Sequence, residues 1–566
     1  MDGILYWKKG VYSVEDASHT MIASYTNVHD VAPCLHGDKV SVHNEKVVLK
    51  ERAHYIPIVG VLELRNKTHY GLTSRGHPLY LFRPYNESYP NFVVGCSQKD
   101  LSKNLLVLIT VSEWNYPMQQ LPRGIIRTIL GICGNYEAEK QAIFWHYSPY
   151  VIPKELKEIK QTHYDVSMEL TCRVKTPQCT FHIDPVGCKD VDDVLSIVQI
   201  APSLWEIWIS ISDVSAYIGQ ESPLDIYAKL QGTTTYDNDG VVLRSMLPES
   251  LSTGCCSLLP GNDHLGVSLV LQFDGKNVLD ISWKLVTVTN VESYNYENVY
   301  NANHLPLDVL ESFTSYYFQT QDIEIVNDSH KWVEACMLFY NKMAAQLFAS
   351  HQKGVLRAQK EADVQKLKYF QAYNIIDLEK YAQNSAYYCD ASSFETYHAS
   401  LQLGVYCHAT SPIRRYVDLV NQRVLKEIIQ KEESQPYIVN YNHLNQVTNA
   451  HKKLRRDLHY ARCIMQDNDE KITMVVLEII QKDEHSLKLK CWVPSWDTVI
   501  SWKTLGKEKQ ILVDKKYYYK LEIGSHIDVQ YYCDYQKFSW KQKMNYCLHP
   551  QFIDANKENL APILDN

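Results

Sequence analysis

Short strand-like runs at both ends of the chain, with helical spacing confined to its centre, set the strongest limit on what it can become. In residues 1–165 the runs Lys39–His43 (KVSVH), Ile56–Leu62 (IPIVGVL), Leu105–Ile109 (LLVLI) and Ala142–Trp145 are broken by turn residues. Short, evenly spaced strands of this kind close into one or two small β-barrels. The same pattern returns after 471, at Thr473–Leu477, Leu487–Trp492 and Ile527–Tyr532. Between these ends, Trp332, Cys336, Tyr340, Met343 and Leu347 recur at three- and four-residue steps and predict a helix over 331–350. A second helix is expected from 412, with Ser411 as N-cap and Pro412 at the first helical position. Tyr416, Leu419, Val424 and Ile428 would form its buried stripe. A third, over 443–465, carries the basic run His451-Lys-Lys-Leu-Arg-Arg456. The expected class is therefore α+β and multidomain: β modules, a mixed α/β centre, then a β module.

Length agrees with this division. At roughly 150 residues per domain, 566 residues allow about three to four domains. The 57 Lys+Arg against 65 Asp+Glu give a net charge of −8, which excludes a protein that coats nucleic acid or anionic membrane by bulk charge. The 15 cysteines contain no CxxC pair, a usage that points to small buried side chains in a reducing compartment. No apolar stretch approaches the roughly 18 residues of a membrane span. Together these features predict a soluble intracellular protein with no membrane partner.

The chemistry concentrates in Phe181-His-Ile-Asp-Pro-Val-Gly-Cys-Lys-Asp-Val-Asp-Asp-Val-Leu195. Asp184, Asp190, Asp192 and Asp193 fall within ten residues, with Pro185 and Gly187 shaping the turn between them. Carboxylates packed this tightly repel unless a cation neutralises them. Hard oxygen ligands suit Mg²⁺ or Mn²⁺, and two such ions about 4 Å apart would stabilise both oxygens of a phosphodiester displacement. A solvated acidic turn is the alternative that this segment alone leaves open.

Thr410-Ser-Pro-Ile-Arg-Arg-Tyr416 is complementary. Arg414 and Arg415 at a helix start would place two guanidinium groups beside unpaired backbone N–H groups, a phosphate-binding arrangement. Local pairing of Arg414 with Asp418, four residues on, is the competing reading.

Taken together, these segments resemble the catalytic domain of the ribonuclease II and ribonuclease R family, which includes the exosome-associated exoribonucleases. Its acidic signature is matched by Ile183-Asp-Pro185 and Asp190-Val-Asp-Asp-Val-Leu195. Ile211-Ser-Asp-Val-Ser215, Ser222-Pro-Leu-Asp225, Gly232-Thr-Thr-Thr-Tyr236 and Met246-Leu-Pro-Glu-Ser-Leu-Ser252 follow in family order. Cys256-Ser-Leu258, Leu356-Arg-Ala-Gln359 and Thr410–Tyr416 complete the set. Gly187-Cys188 looks closer to the eukaryotic branch. Ser210, Gln231, Ser245 and Gln422 depart from the usual family residues, and none of them is a metal ligand of the family pattern.

The resemblance implies a hydrolytic exoribonuclease that takes single-stranded RNA from its 3′ end and releases nucleoside 5′-monophosphates with Mg²⁺, Mn²⁺ being able to substitute. On this basis Asp184, Asp190, Asp192 and Asp193 bind metal, with Asp192 also catalytic. Tyr236 holds the terminal nucleotide, Arg414 lies at the scissile phosphate, and Arg415 is adjacent. The implied domains are OB-type over 1–65 and 66–163, catalytic over 164–468, and OB-type over 469–553, followed by a tail over 554–566. An exosome-like complex follows by analogy only; otherwise a monomer is expected, cytoplasmic or nuclear. An RNA-binding scaffold of the same fold that no longer cleaves is the alternative. Net charge does not exclude RNA, because positive charge need only line a narrow path, with Arg414, Arg415 and the 452–456 run as candidates.

Overall fold

The computed structural model describes residues 2–8, 11–16, 20–52, 56–68, 70–157, 165–321, 326, 328–372, 378–431, 439–466, 471–513, 516–535, 537 and 540–562. The chain divides into two compact units. One joins Met1–Val151 to Lys452–Asn566, and the other is Ile152–His451. The helix Tyr441–Gln466 carries the boundary between them.

In the first unit the N-terminal strands behave as their alternation requires. Asp2–Lys8, Val11–Glu15, Met21–Tyr25, Lys39–His43 and Lys46–Glu51 form a five-stranded sheet. Its inward residues Leu5, Val14, Val40 and Val47 make a small core. Ile58–Leu62, Leu79–Pro84, Phe92–Gly95, Leu105–Glu113 and Arg123–Ile132 close a separate barrel around Leu62, Phe82, Phe92, Val107 and Ile109. Ile58–Leu62, placed by sequence in the first domain, thus pairs inside this barrel. Ala142–Trp145, expected as a strand, lies in the helix Tyr136–Tyr147. Asn135 caps that helix by accepting from the Ala138 N–H, and Glu137 and Glu139 complement the positive end of its dipole. The last β module is an eight-stranded sheet containing Ile472–Asp483, Ser486–Val493 and His526–Cys533. Leu560–Pro562, assigned to the tail by sequence, is its edge strand and pairs with Tyr517–Lys520.

One ion pair in this unit is wholly excluded from water. Lys543 and Glu139 side chains are both 0% exposed, and the Lys543 ammonium donates to Glu139 and, at 2.9 Å, to the Tyr85 hydroxyl. Glu139 also accepts from the Gly134 N–H at 3.0 Å. Rings of Tyr85 and Trp540 lie 5.2 and 5.0 Å from the ammonium.

The second unit is built on a seven-stranded mixed sheet. Its order is Val174–Lys175, Val278–Val288, His264–Phe273, Leu204–Ser212, Asp193–Ala201, Thr180–Ile183 and Val291–Tyr294. Both faces of its central strands are buried, which explains their near-continuous apolar runs. Leu195, Ile197, Ile207 and Leu269 pack under the helices Leu307–Gln319 and Ser329–His351, whereas Val194, Trp208 and Val270 fill a smaller cluster. The helix expected over 331–350 is thus present, with Trp332, Cys336 and Tyr340 in the core. Among the described residues no helix is long and apolar enough to cross a membrane.

Three of the four residues that depart from the family pattern, Ser210, Gln231 and Gln422, make polar contacts. Ser210 meets Ser268 at 2.6 Å across paired strands, and Gln231 donates to Thr235 at 3.3 Å. Gln422 donates to the Ser212 carbonyl at 2.7 Å and accepts from the Ser215 N–H at 3.0 Å. Buried Asp213 ion-pairs with both Arg173 and Lys426 at 2.8 Å.

His398 gives this unit a predictable acid response. Burial, then the charge of Arg357, pushes its imidazole down to about 4. The unfolded chain therefore takes up the proton first as pH falls. Stability is full above about 6.5, declines between 6.5 and 4, and levels off below, a loss of up to about 3 kcal/mol from this group. Melting temperatures across that range should fall more steeply for wild type than for His398→Gln; parallel curves would contradict the assignment.

Candidate active site

The four aspartates occupy a loop between two paired strands and the first residue of the second. Thr180–Ile183 and Asp193–Ala201 run antiparallel, so the chain must turn back across residues 184–192. The Asp184 N–H donates to the Tyr294 carbonyl at 3.1 Å. The turn is closed by the Cys188 N–H on the Pro185 carbonyl at 3.1 Å, and Gly187 takes a φ of +82°, a conformation that disfavours a side chain. Ser257 then pins the return, accepting from the Val191 N–H at 2.9 Å and donating to the Lys189 carbonyl at 2.8 Å.

Asp192 is the anchor. It is 3% exposed, and one oxygen accepts from the Ile413 N–H at 2.9 Å while the other accepts from Arg414 Nε, also at 2.9 Å. Its own carbonyl accepts from the Ser212 N–H at 2.8 Å. Burial pushes its carboxyl up to about 7, against the opposing pull of Arg414 and the Ile413 N–H. Asp193 is pushed well above the carboxylate range by burial first, then by the charges of Asp184 and Asp192.

The clamp corrects one expectation about 410–416 and decides between two readings of Arg414. The helix begins at Tyr416, not at 412, because the Ile413 N–H is committed to Asp192 and residues 412–414 form a turn. The local ion pair to Asp418 is made by Arg415, at 2.9 Å, and not by Arg414. Arg414 is thus held by Asp192 and by Ser411, with a side chain still 46% exposed. Of the expected stripe, Tyr416, Leu419 and Val424 are buried and Ile428 is half-buried.

Tyr236 is brought in by the same turn. The Thr234 N–H and Thr233 hydroxyl both donate to the Arg414 carbonyl, at 2.9 and 2.7 Å, and the Tyr416 N–H donates to the Gly232 carbonyl. The Tyr236 hydroxyl donates to Asp190 at 3.1 Å. Hydrogen bonds thus join Asp190 to Tyr236 and Asp192 to Arg414, the charges of Asp184 and Asp192 act on Asp193, and Arg415 is turned to Asp418.

Among the described residues, no three His, Cys, Asp or Glu side chains are gathered closely enough to hold a metal ion as they stand. Protein donors account for the spread: His182 engages Asp184, Tyr236 engages Asp190, and Arg414 engages Asp192. The donor set nevertheless suits a hard divalent cation. The charges of Asp184 and Asp192 raise the proton affinity of Asp193, and a metal in place of that proton would relieve the repulsion.

Sequence reasoning missed two residues here. Burial, then the charges of Asp184 and Asp193, pushes the Tyr296 phenol up to about 12, which places its hydroxyl within reach of the cluster's field. No motif singles it out among 40 tyrosines. His182 was detectable, since strand alternation puts residues i and i+2 on one face with Asp184.

A carboxylate-rich loop on a mixed sheet is clamped to an arginine turn, in a chain that also builds a closed five-stranded β-barrel. The RNB domain family matches residues 175–311 and 312–431. Ribonuclease R of Buchnera aphidicola subsp. Schizaphis graminum is 25% identical over 526 residues, covering 75% of this chain and 69% of that one. Ribonuclease R of Mycoplasma genitalium, solved in its apo form, matches with a TM-score of 0.69 at 17% identity, covering 97% of this chain and 100% of that one. Yeast Ssd1, described as a pseudonuclease, matches with a TM-score of 0.58 at 15% identity over 94% of this chain and 81% of its own. Residues 175–431 are thus similar to the RNB domain.

Proposed function

We propose that the chain is a 3′-to-5′ exoribonuclease that hydrolyses single-stranded RNA to nucleoside 5′-monophosphates. The observation that carries this reading is the Asp192–Arg414 clamp, which joins the four-aspartate loop to a half-exposed guanidinium. Arg414 neutralises a non-bridging oxygen of the scissile phosphate while Nε stays anchored on Asp192. Tyr236 stacks on the terminal base, and its hydroxyl bond to Asp190 fixes the ring relative to the carboxylates. Stacking tolerates any base, so the site holds a strand without reading it. Asp184, Asp190, Asp192 and Asp193 would hold two Mg²⁺ ions, with Mn²⁺ as substitute. Bound metal would supply positive charge at the phosphate and acidify the attacking water. Arg415, paired with Asp418, stiffens the turn that presents Arg414.

A second reading, an RNA-binding scaffold that does not cleave, is favoured by the likeness to yeast Ssd1. Retention of all four aspartates and of Arg414 speaks for catalysis. Incubation of 3′- and 5′-labelled single-stranded RNA with Mg²⁺ decides between them: stepwise loss from the 3′ end supports the nuclease, and intact but bound RNA supports the scaffold.

Tyr236 has its own test. In EDTA, Tyr236→Ala should weaken binding of a short single-stranded RNA by about 1–3 kcal/mol, whereas Tyr236→Phe retains the stack. Fluorescence anisotropy reads both, and an Ala variant that binds like wild type would remove the stacking role.

A further inference from the structure

We propose that His182 is a positioning residue that orients the Asp184 carboxylate toward the candidate metal site; this rests on the metal reading above. His182 lies in the strand Thr180–Ile183, where Phe181 and Ile183 enter the hydrophobic core. Alternation sends His182 to the opposite face, the one Asp184 occupies two residues on. The ring is 3% exposed, and its Nδ1 stands 2.9 Å from Asp184 Oδ2.

The chemistry of the pair fixes the direction of the bond. An ionised carboxylate only accepts, so the proton resides on His182 Nδ1 and the imidazole donates. The other ring nitrogen, Nε2, is buried and has no hydrogen-bond partner among the described residues. The ring's polar contact is therefore directed at Asp184 alone. A buried polar group left half-satisfied is costly, and such groups persist where they serve a site. Here the bond engages Oδ2 and leaves Oδ1 as the oxygen that Asp184 can offer to a cation. Outer groups that hold a ligating side chain in this way typically govern metal affinity by about 10–100-fold.

Asn places an amide N–H on the same branch as His Nδ1 and can replace the donor, whereas Phe fills the space without one. Mn²⁺ binding to the full chain, followed by electron paramagnetic resonance titration without RNA, is the readout. His182→Phe should weaken Mn²⁺ binding about 10–100-fold, and His182→Asn should restore it to within about 3-fold of wild type. Melting in EDTA checks folding; if the Phe variant fails to fold, His182→Gln, whose amide sits one carbon further out, takes its place and should bind as weakly as expected for Phe. Wild-type affinity in the variants lacking the donor overturns the role of His182 while leaving the metal reading intact. Equal weakening in His182→Asn overturns it too, since the donor would then not be the cause. A wild type that binds no Mn²⁺ overturns both the metal reading and this inference.

Discussion

Asp192→Asn should reduce RNA hydrolysis by roughly 10²–10³-fold or more, the scale of removing one preorganised electrostatic group, while single-stranded RNA still binds. The substitution is nearly isosteric, so the effect is electrostatic. The Asn carbonyl can keep the Ile413 N–H bond, but its amide then points two donors at Arg414 Nε, which is itself a donor. Arg414 loses its anchor and the site loses a carboxylate in one step. Degradation is followed by gel and binding by anisotropy with Mg²⁺ withheld. Hydrolysis within about threefold of wild type would remove Asp192 from the mechanism.

The largest effect on stability is expected at Glu139. Glu139→Gln leaves the Lys543 ammonium fully buried beside the Tyr85 hydroxyl, aromatic rings and a neutral amide, with its carboxylate partner gone. Breaking a buried pair from one side costs about 3–5 kcal/mol, because the remaining charge has no compensation. The double variant Glu139→Met with Lys543→Met should recover most of that loss, since replacing both charges removes the desolvation penalty along with the attraction. Urea unfolding of the three proteins measures this. A single variant as stable as wild type, or a double variant less stable than the single, would contradict it.

The contrast between these two sites shows what the amino-acid sequence reveals and what it hides. The helix Ser329–His351 was legible because its core residues repeat at helical spacing, and the strand Lys39–His43 because it alternates between turns. Ala142–Trp145 was misread because four apolar residues satisfy either geometry; the cap at Asn135 and the acidic first turn are what decide for helix. The candidate site was legible as a composition of residue types, four aspartates in one segment and two arginines in another. Its wiring was not. Asp192 reaches Arg414 across 222 positions, and that contact both shifts the helix start to Tyr416 and reassigns the local ion pair to Arg415. No local pattern encodes a bond of that span, and spacing alone left open the Arg414–Asp418 pair that does not form.

The Glu139–Lys543 pair has a further consequence, in time. The two residues are separated by 404 positions, so during synthesis at about 5–20 residues per second Glu139 emerges roughly 20–80 s before its partner exists. Throughout that interval the helix Tyr136–Tyr147 cannot bury Glu139 without an uncompensated charge, and the nascent barrel must keep that edge hydrated. A ribosome that stalls after residue 451 would thus release Glu139 without the ammonium that compensates it.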